Sequence, residues 1–276
     1  MEYLDTWLLY IPQSLKVLIC LILGLIIGSF LNVVIYRLPI ILNNKYSDTS
    51  ERFNLLLPPS HCPSCKALIP IWSNIPVLGY LLLSGKCIKC NHPISLRYLF
   101  VELLTGLLFT LYSYPVVNVY LLFAGLIFIS FCICAIFIDY ETYLLPDEIT
   151  LPLIWIGLFV NLNGMISGSL FNSVVGAMTG YLSLWGIFWS FKLITKKDGM
   201  GYGDFKFLAA ILAFLGIKAI IPVTLFASMT GIFYAIIIRL FYRKLSKHSV
   251  EIPFGPFLGI AAILFLIINQ YYQIEY

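Results

Sequence analysis

Apolar stretches long enough to cross a lipid bilayer recur from one end of this 276-residue chain to the other. A hydrocarbon layer about 30 Å thick takes about 20 apolar residues of helix, and within it each backbone N–H and C=O must be satisfied inside the protein. Eight helices are expected, at roughly 15–37, 98–114, 117–138, 150–166, 173–194, 206–217, 220–241 and 254–272. Only 11% of the residues are charged, against about 25% in soluble domains. The expected class is therefore an all-α polytopic membrane protein surrounded by lipid. Soluble enzyme folds, DNA-binding modules and secreted disulfide scaffolds are excluded, and no nucleic-acid partner is expected. The first stretch is not a cleavable signal peptide: it is too long, Arg37 follows it, and Ser29 and Asn32 lie within it.

Basic residues orient the chain, because Lys and Arg concentrate in cytoplasmic loops. They cluster in segment 37–97 (Arg37, Lys45, Arg52, Lys66, Lys86, Lys89, Arg97), in 192–206 (Lys192, Lys196, Lys197, Lys206) and in the loop with Arg239, Arg243, Lys244 and Lys247. With eight helices, these loops share one side with the short loop 139–149. All of the 17 basic residues except Lys16 and Lys218 then face the cytoplasm, and both termini lie outside. The expected organisation is a first transmembrane helix (1–38), a cytoplasmic domain (39–97) inserted between helices 1 and 2, and a helical bundle (98–276). No internal repeat is evident.

The inserted domain carries Cys62-x2-Cys65 and, 21 residues on, Cys87-x2-Cys90. Two CxxC turns can present four thiolates to a tetrahedral zinc ion. A segment with so small a core would draw much of its folding free energy from the metal. Lys66, Lys86 and Lys89 beside the cysteines would favour the thiolates. Two disulfides or free thiols are the alternatives, and the reducing cytoplasm disfavours disulfides. His61 and His92 read as surface residues, and Cys20, Cys132 and Cys134, in apolar helices, as packing residues.

Two aspartates stand at membrane edges: Asp139 at the end of the third helix and Asp204 in GYGDFKF, where a helix resumes. Holding a carboxylate near bilayer depth costs about 2.5–3.5 kcal/mol even on lenient scales, so such a residue usually has a partner or a task. Two carboxylates in one site share a proton, an arrangement suited to acid–base hydrolysis of a peptide bond. Gly201 and Gly203 would let the backbone turn sharply beside a substrate strand. An aspartate before a helix is more often an N-cap, and Asp147, after Pro146, fits that role. Asp139 sits at a helix C-terminus, where the dipole disfavours negative charge. Residues alone leave catalysis and capping both open for the pair. A proton-coupled transporter and a zinc-docking scaffold are the competing classes, although only Glu102 falls within a span.

The segments GSFLNVVIYRLP (28–39), FNLLLPPSHCPSC (53–65), SNIPVLGYLLLSGKCIKCNHPISLRYLFVELLTG (73–106), IDYETYLLPDEITLP (138–152), GMGYGDFKFLAA (199–210) and IPFGPFLG (252–259) together resemble the bacterial type IV prepilin peptidases. These are bifunctional leader peptidase/N-methyltransferases of the GxGD aspartyl protease class. The resemblance implies cleavage of the basic leader of prepilins or pseudopilins, after a glycine, at the cytoplasmic face of the inner membrane. Methylation of the new N-terminus with S-adenosyl-L-methionine would follow. It further implies Asp139 and Asp204 as the dyad, the four cysteines as the zinc-type domain, and Glu102 as an acidic residue associated with methyl transfer. A contact with Arg97 at the helix start is an equally good purpose for Glu102. Lys206 reads as a snorkelling or phosphate-facing charge. Tyr202 and Phe205 stand where many members have smaller residues.

Overall fold

The computed structural model describes residues 11–44, 54–57, 59–62, 64–197, 199–241 and 252–272. Lys45, Arg52, Arg243, Lys244, Lys247 and both chain termini, which entered the orientation argument, lie outside these residues. Among them the regular structure is helical: α1 (Gln13–Asn44), α2 (Leu78–Leu82), α3 (Leu96–Ser113), α4 (Val119–Thr142), α5 (Asp147–Val160), α6 (Leu170–Thr195), α7 (Tyr202–Leu215), α8 (Ile220–Phe241) and α9 (Gly255–Tyr272). Two isolated antiparallel bridges, His61 with Leu68 and Lys86 with Pro93, are the β pairing seen among the described residues. The protein is an all-α polytopic membrane protein. The helices α1, α3, α4, α6, α8 and α9 are long and apolar enough to cross a bilayer. The helices α5 and α7 have 14 residues each, about 21 Å at 1.5 Å per residue, short of the roughly 30 Å hydrocarbon layer.

All eight expected helices are present, with shifted ends, but among the described residues six of them, rather than eight, have spanning length. The first runs on through Pro39 to Asn44, so it enters the segment expected to start the inserted domain. The fourth stops at Val160 instead of 166 because the buried Asn161 takes over the backbone groups: Nδ2 donates to the Gly157 carbonyl at 3.0 Å, and Oδ1 accepts from the N–H groups of Ile166 and Ser167. The inserted segment is not free of helix, since a 3-10 turn (Ile71–Asn74) and α2 lie between the two cysteine pairs.

The chain divides into two compact units, Met1–Cys134 and Ala135–Tyr276. In the first, α1 packs along α3 through glycines four residues apart, the small-residue spacing that lets membrane helices approach backbone to backbone. A Cβ on Gly24 would stand 2.7 Å from Gly106 Cα, and one on Gly28 2.8 Å from Glu102 Cα. Lys16 is buried and donates to the carbonyls of Tyr114 and Val116 beyond the end of α3. Arg37, also buried, donates to the carbonyls of Asn54 and Leu55, which ties the start of the cysteine-bearing segment to α1. Cys20, Cys132 and Cys134 are buried packing residues.

In the second unit α7 is the central element, packed against α5, α6 and α9. From Phe207 to Leu215 every residue is buried, as a helix apolar on all sides requires. The neighbours come close through glycines: a Cβ on Gly157 of α5 would lie 2.7 Å from the Phe214 amide nitrogen, and one on Gly176 of α6 2.6 Å from the Leu212 carbonyl oxygen. Outward-facing Met178, Ile187, Ile221 and Phe233 on α6 and α8 are exposed, the composition of a lipid-facing surface.

Candidate active site and metal centre

Asp139 lies in the last turn of α4 and Asp204 in the first turn of α7. Both belong to the second unit and both are buried. A carboxylate at a helix C-terminus meets the negative end of the dipole. The structure offsets this with the opposite end of another helix: Gly255, the first residue of α9, donates its N–H to Asp139 Oδ2 at 3.0 Å. The first N–H groups of a helix have no partner within it, so Asp139 in effect caps α9. The approach leaves no room for a side chain, since a Cβ on Gly255 would be 2.6 Å from that oxygen.

Leu145 closes the gap between the two motifs. A Cβ on Gly255 would lie 3.1 Å from its Cδ1, and one on Gly203 only 2.7 Å from its Cβ. Asp204 follows Gly203 directly and feels the charge of Asp139. Burial first, and that neighbouring charge second, push the Asp204 carboxyl up to about 7. The two glycines of the motif have different surroundings. Gly203 lies within α7, where its small size permits contact with Leu145. Gly201 is the residue before the helix at φ −77° and has only ordinary contacts around it. Neither makes a left-handed turn. Tyr202 and Phe205 pack with Phe188 of α6, at centroid separations of 5.2 and 5.6 Å, so the larger residues at these positions form an aromatic wall.

Asp147 is not an N-cap. Pro146 holds that position, and Asp147, in the first turn of α5, receives Lys206 Nζ at 2.7 and 2.9 Å. Lys206 is thus an ion-pair partner rather than a snorkelling or phosphate-facing charge, and it ties α7 to α5 two residues beyond Asp204.

In the first unit the four cysteine sulfurs lie within 4.8 Å of one another. Cys62 and Cys90 Sγ are 3.7 Å apart, Cys65 and Cys87 Sγ 3.9 Å. A tetrahedron with Zn–S bonds of about 2.3 Å has S–S edges of about 3.8 Å, whereas a disulfide needs about 2.05 Å. All four thiols are free, and their arrangement fits a structural zinc ion. The two knuckles repeat one backbone pattern that the side chains conceal. The residue after each second cysteine, Lys66 or Asn91, has φ 55° and donates to the first cysteine's carbonyl. Each first cysteine donates in turn to the carbonyl five residues on, Ala67 or His92. Backbone amides, rather than the lysine side chains, favour the thiolates of Cys87 and Cys62, whereas Cys90, against the His92 N–H, is pushed up to about 11 by burial and the neighbouring sulfurs. The N–H groups of Cys90 and Lys89 bring Cys87 down to about 6, and that of Cys65 lowers Cys62. His61 and His92 are exposed and outside the sulfur cluster.

Glu102, on α3, is buried. The expected contact with Arg97 is replaced by two others: Val77 N–H donates to Oε2 at 2.7 Å, and the Ser29 hydroxyl donates to the same carboxylate. Val77 stands at φ 62°, ψ −52°, and Leu78 N–H bonds Pro76 O across it at 2.6 Å. This is a γ-turn of the rare, strained sense, on a β-branched residue that ordinarily avoids it. Glu102 also borders a cavity of about 920 Å³ walled by α1, α3 and the cysteine knuckles. Sequence reading missed the contacts made by Gly255 and Val77. Both act through backbone N–H groups, so only the folded backbone reveals them.

The family description "Bacterial Peptidase A24 N-terminal domain" matches residues 22–116, and "Type IV leader peptidase family" matches residues 126–236. The chain belongs to the type IV leader peptidase family. It is 42% identical over 262 residues to the prepilin leader peptidase/N-methyltransferase of Pectobacterium carotovorum subsp. carotovorum, covering 91% of this chain and 92% of the relative. To the protein of the same name from Neisseria gonorrhoeae it is 43% identical over 263 residues, covering 90% and 89%. The Aeromonas hydrophila protein of that name is 44% identical over 257 residues, with 88% of each chain covered. No solved structure matches the chain.

Proposed function

We propose that this family member is a bifunctional enzyme of the inner membrane. Its second unit cleaves the leader of type IV prepilins or pseudopilins. Its first unit methylates the new N-terminal residue with S-adenosyl-L-methionine. The observation that carries the peptidase reading is the buried pair Asp139–Asp204, with one carboxylate held by a backbone N–H and the other pushed toward neutrality. Asp139, held by the Gly255 N–H, is the partner that takes a proton from the attacking water. Asp204 keeps its proton near neutral pH and donates it to the scissile carbonyl oxygen. A cytoplasmic site, where the basic leader of the substrate would lie, with both termini outside, requires α5 and α7 to cross as short helices, so that the basic loops and both aspartates share one face.

For methyl transfer, the cavity beside Glu102 is of the size that ligand sites occupy, about 300–1,000 Å³. Its wall combines tyrosine rings (Tyr36, Tyr80, Tyr98) with the buried Glu102 carboxylate and the cations Arg37, Lys89 and Arg97, and the rings suit the aromatic base of the donor. The donor supplies an electrophilic methyl group when bound. Cys62, Cys65, Cys87 and Cys90 would hold a zinc ion that stabilises the knuckles walling the cavity. The test uses the purified enzyme and a prepilin: Asp139→Asn and Asp204→Asn abolish cleavage, and Glu102→Gln abolishes methylation while sparing cleavage. Cleavage by either aspartate variant at the wild-type rate refutes the peptidase assignment.

A further inference from the structure

Asn32, on α1, borders the cavity and is only 2% exposed. Its Nδ2 donates to Tyr98 O at 3.0 Å and Gly28 O at 3.3 Å. Facing two carbonyls, that end of the amide must be the nitrogen, so the other end is the oxygen. Oδ1 is buried and accepts no hydrogen bond. Leaving a buried acceptor unmatched costs about 1–3 kcal/mol, and such groups in native proteins call for an explanation. Glu102 raises the same question for charge. Its carboxylate accepts from Val77 N–H and the Ser29 hydroxyl but forms no ion pair with a described residue. Buried charges are normally paired, and a carboxylate has about four lone-pair sites, so capacity remains for a cation. Across the α1–α3 contact Gly28, four residues before Asn32, packs against Glu102 Cα, so both acceptors stand on one helix pair at one cavity wall.

We infer that this wall is the cradle for the substrate's newly exposed terminal amine, with Asn32 Oδ1 and the Glu102 carboxylate as its two acceptors. The inference rests on the methyltransferase reading and names the group that site recognises. An ammonium offers three donors and a charge. One N–H meets the orphaned amide oxygen and another meets the carboxylate, so both unmatched groups are matched by one ligand. The step balances. The ammonium gives a proton to Glu102. The freed nitrogen lone pair forms the new N–CH3 bond while the S–CH3 bond of the donor breaks. Its electron pair stays on sulfur and neutralises the sulfonium, leaving a secondary ammonium. Asn32 Oδ1 orients the amine and exchanges no proton. It therefore also selects a free amine over an acylated one, which lacks the charge and two of the N–H donors.

The experiment uses full-length enzyme and two peptides with the sequence of the mature pilin N-terminus, one with a free amine and one acetylated. Binding is measured with S-adenosylhomocysteine present, so that no methyl group is transferred. Wild-type enzyme binds the free amine at least about tenfold more tightly, as expected for a charge-assisted hydrogen bond. Asn32→Ala loses most of that preference and raises KM for the cleaved substrate about tenfold. Its prepilin cleavage and its affinity for S-adenosylhomocysteine stay unchanged. The wild-type comparison stands even if Asn32→Ala folds poorly, and equal binding of the two peptides by wild type overturns the proposal. So does an Asn32→Ala enzyme whose loss falls on S-adenosylhomocysteine affinity with peptide preference intact, because the acceptor would then serve the donor. Absence of any methylation by the wild-type enzyme refutes instead the functional reading on which the inference rests.

Discussion

Replacing Gly255 with alanine tests the dyad geometry without touching either acid. A Cβ there would lie 2.6 Å from Asp139 Oδ2 and 3.1 Å from its Cγ. Ordinary contact begins near 3.4 Å, so the carboxylate must retreat by about 0.8 Å or rotate, and the 3.0 Å bond from the Gly255 N–H is lost. A hydrogen bond to a charged group is worth about 1.5–3 kcal/mol. At about 1.4 kcal/mol per factor of ten in rate, its loss lowers kcat/KM for cleavage about 10- to 150-fold. Stability should move little, because alanine is the better helix former by up to about 1 kcal/mol, which offsets part of the clash. Gly186→Ala is the control: nothing lies within 4 Å of its Cβ, so α6 gains stability and cleavage is unchanged. The assay is leader removal from a purified prepilin in detergent, followed by gel shift, with melting curves on the same samples. Wild-type cleavage by Gly255→Ala would show that the backbone donor does not position Asp139.

Other expectations are testable in the same preparation. Cleavage that needs a proton on Asp204 and a charge on Asp139 follows a bell-shaped pH profile, whose alkaline limb falls as pH rises through about 7; a pH–rate profile still rising above pH 8 contradicts that role. The folded-state pKa of Asp204 exceeds its usual carboxylate value, so its ionisation destabilises the fold. Asp204→Asn should therefore raise the melting temperature at pH 8, with the gain shrinking as pH falls from 7 toward 4. One zinc per chain is expected by elemental analysis. Chelation or Cys87→Ser should abolish methylation while cleavage persists; a metal-free, fully methylating enzyme refutes this. Lys206→Met breaks a partly exposed ion pair, and such pairs contribute about 0–1 kcal/mol, so melting falls by a few degrees at most while cleavage continues.

Features of the sequence that work at short range were legible in it. Hydropathy alone gave the helices, because the bilayer rewards one property over a fixed length. The cysteine spacing identified the metal centre, because a four-residue turn fixes where two sulfurs point. The aspartates stood out because charge is costly beside apolar runs. What stayed hidden depends on pairing across the chain. Gly255 reaches Asp139 over 116 positions, and no local pattern marks a glycine that donates to a distant carboxylate. The Lys206–Asp147 pair spans 59. The repeat between the two knuckles lies in main-chain bonds, so residues as unlike as Lys66 and Asn91 conceal it. The shortness of α7 was visible, since its apolar run reads only from 206 to 217; its central place was hidden, although its alanines at 209, 210 and 213 let neighbours surround it.

The turn at Val77 carries a consequence for engineering. A γ-turn at positive φ on a β-branched residue costs about 1–3 kcal/mol, and the carboxylate it contacts recovers part of that. Val77→Gly relieves the contortion at its source, so it should yield a sturdier but slower methylating enzyme. A screen that rewards thermal tolerance alone would then select against the second activity while leaving leader removal intact.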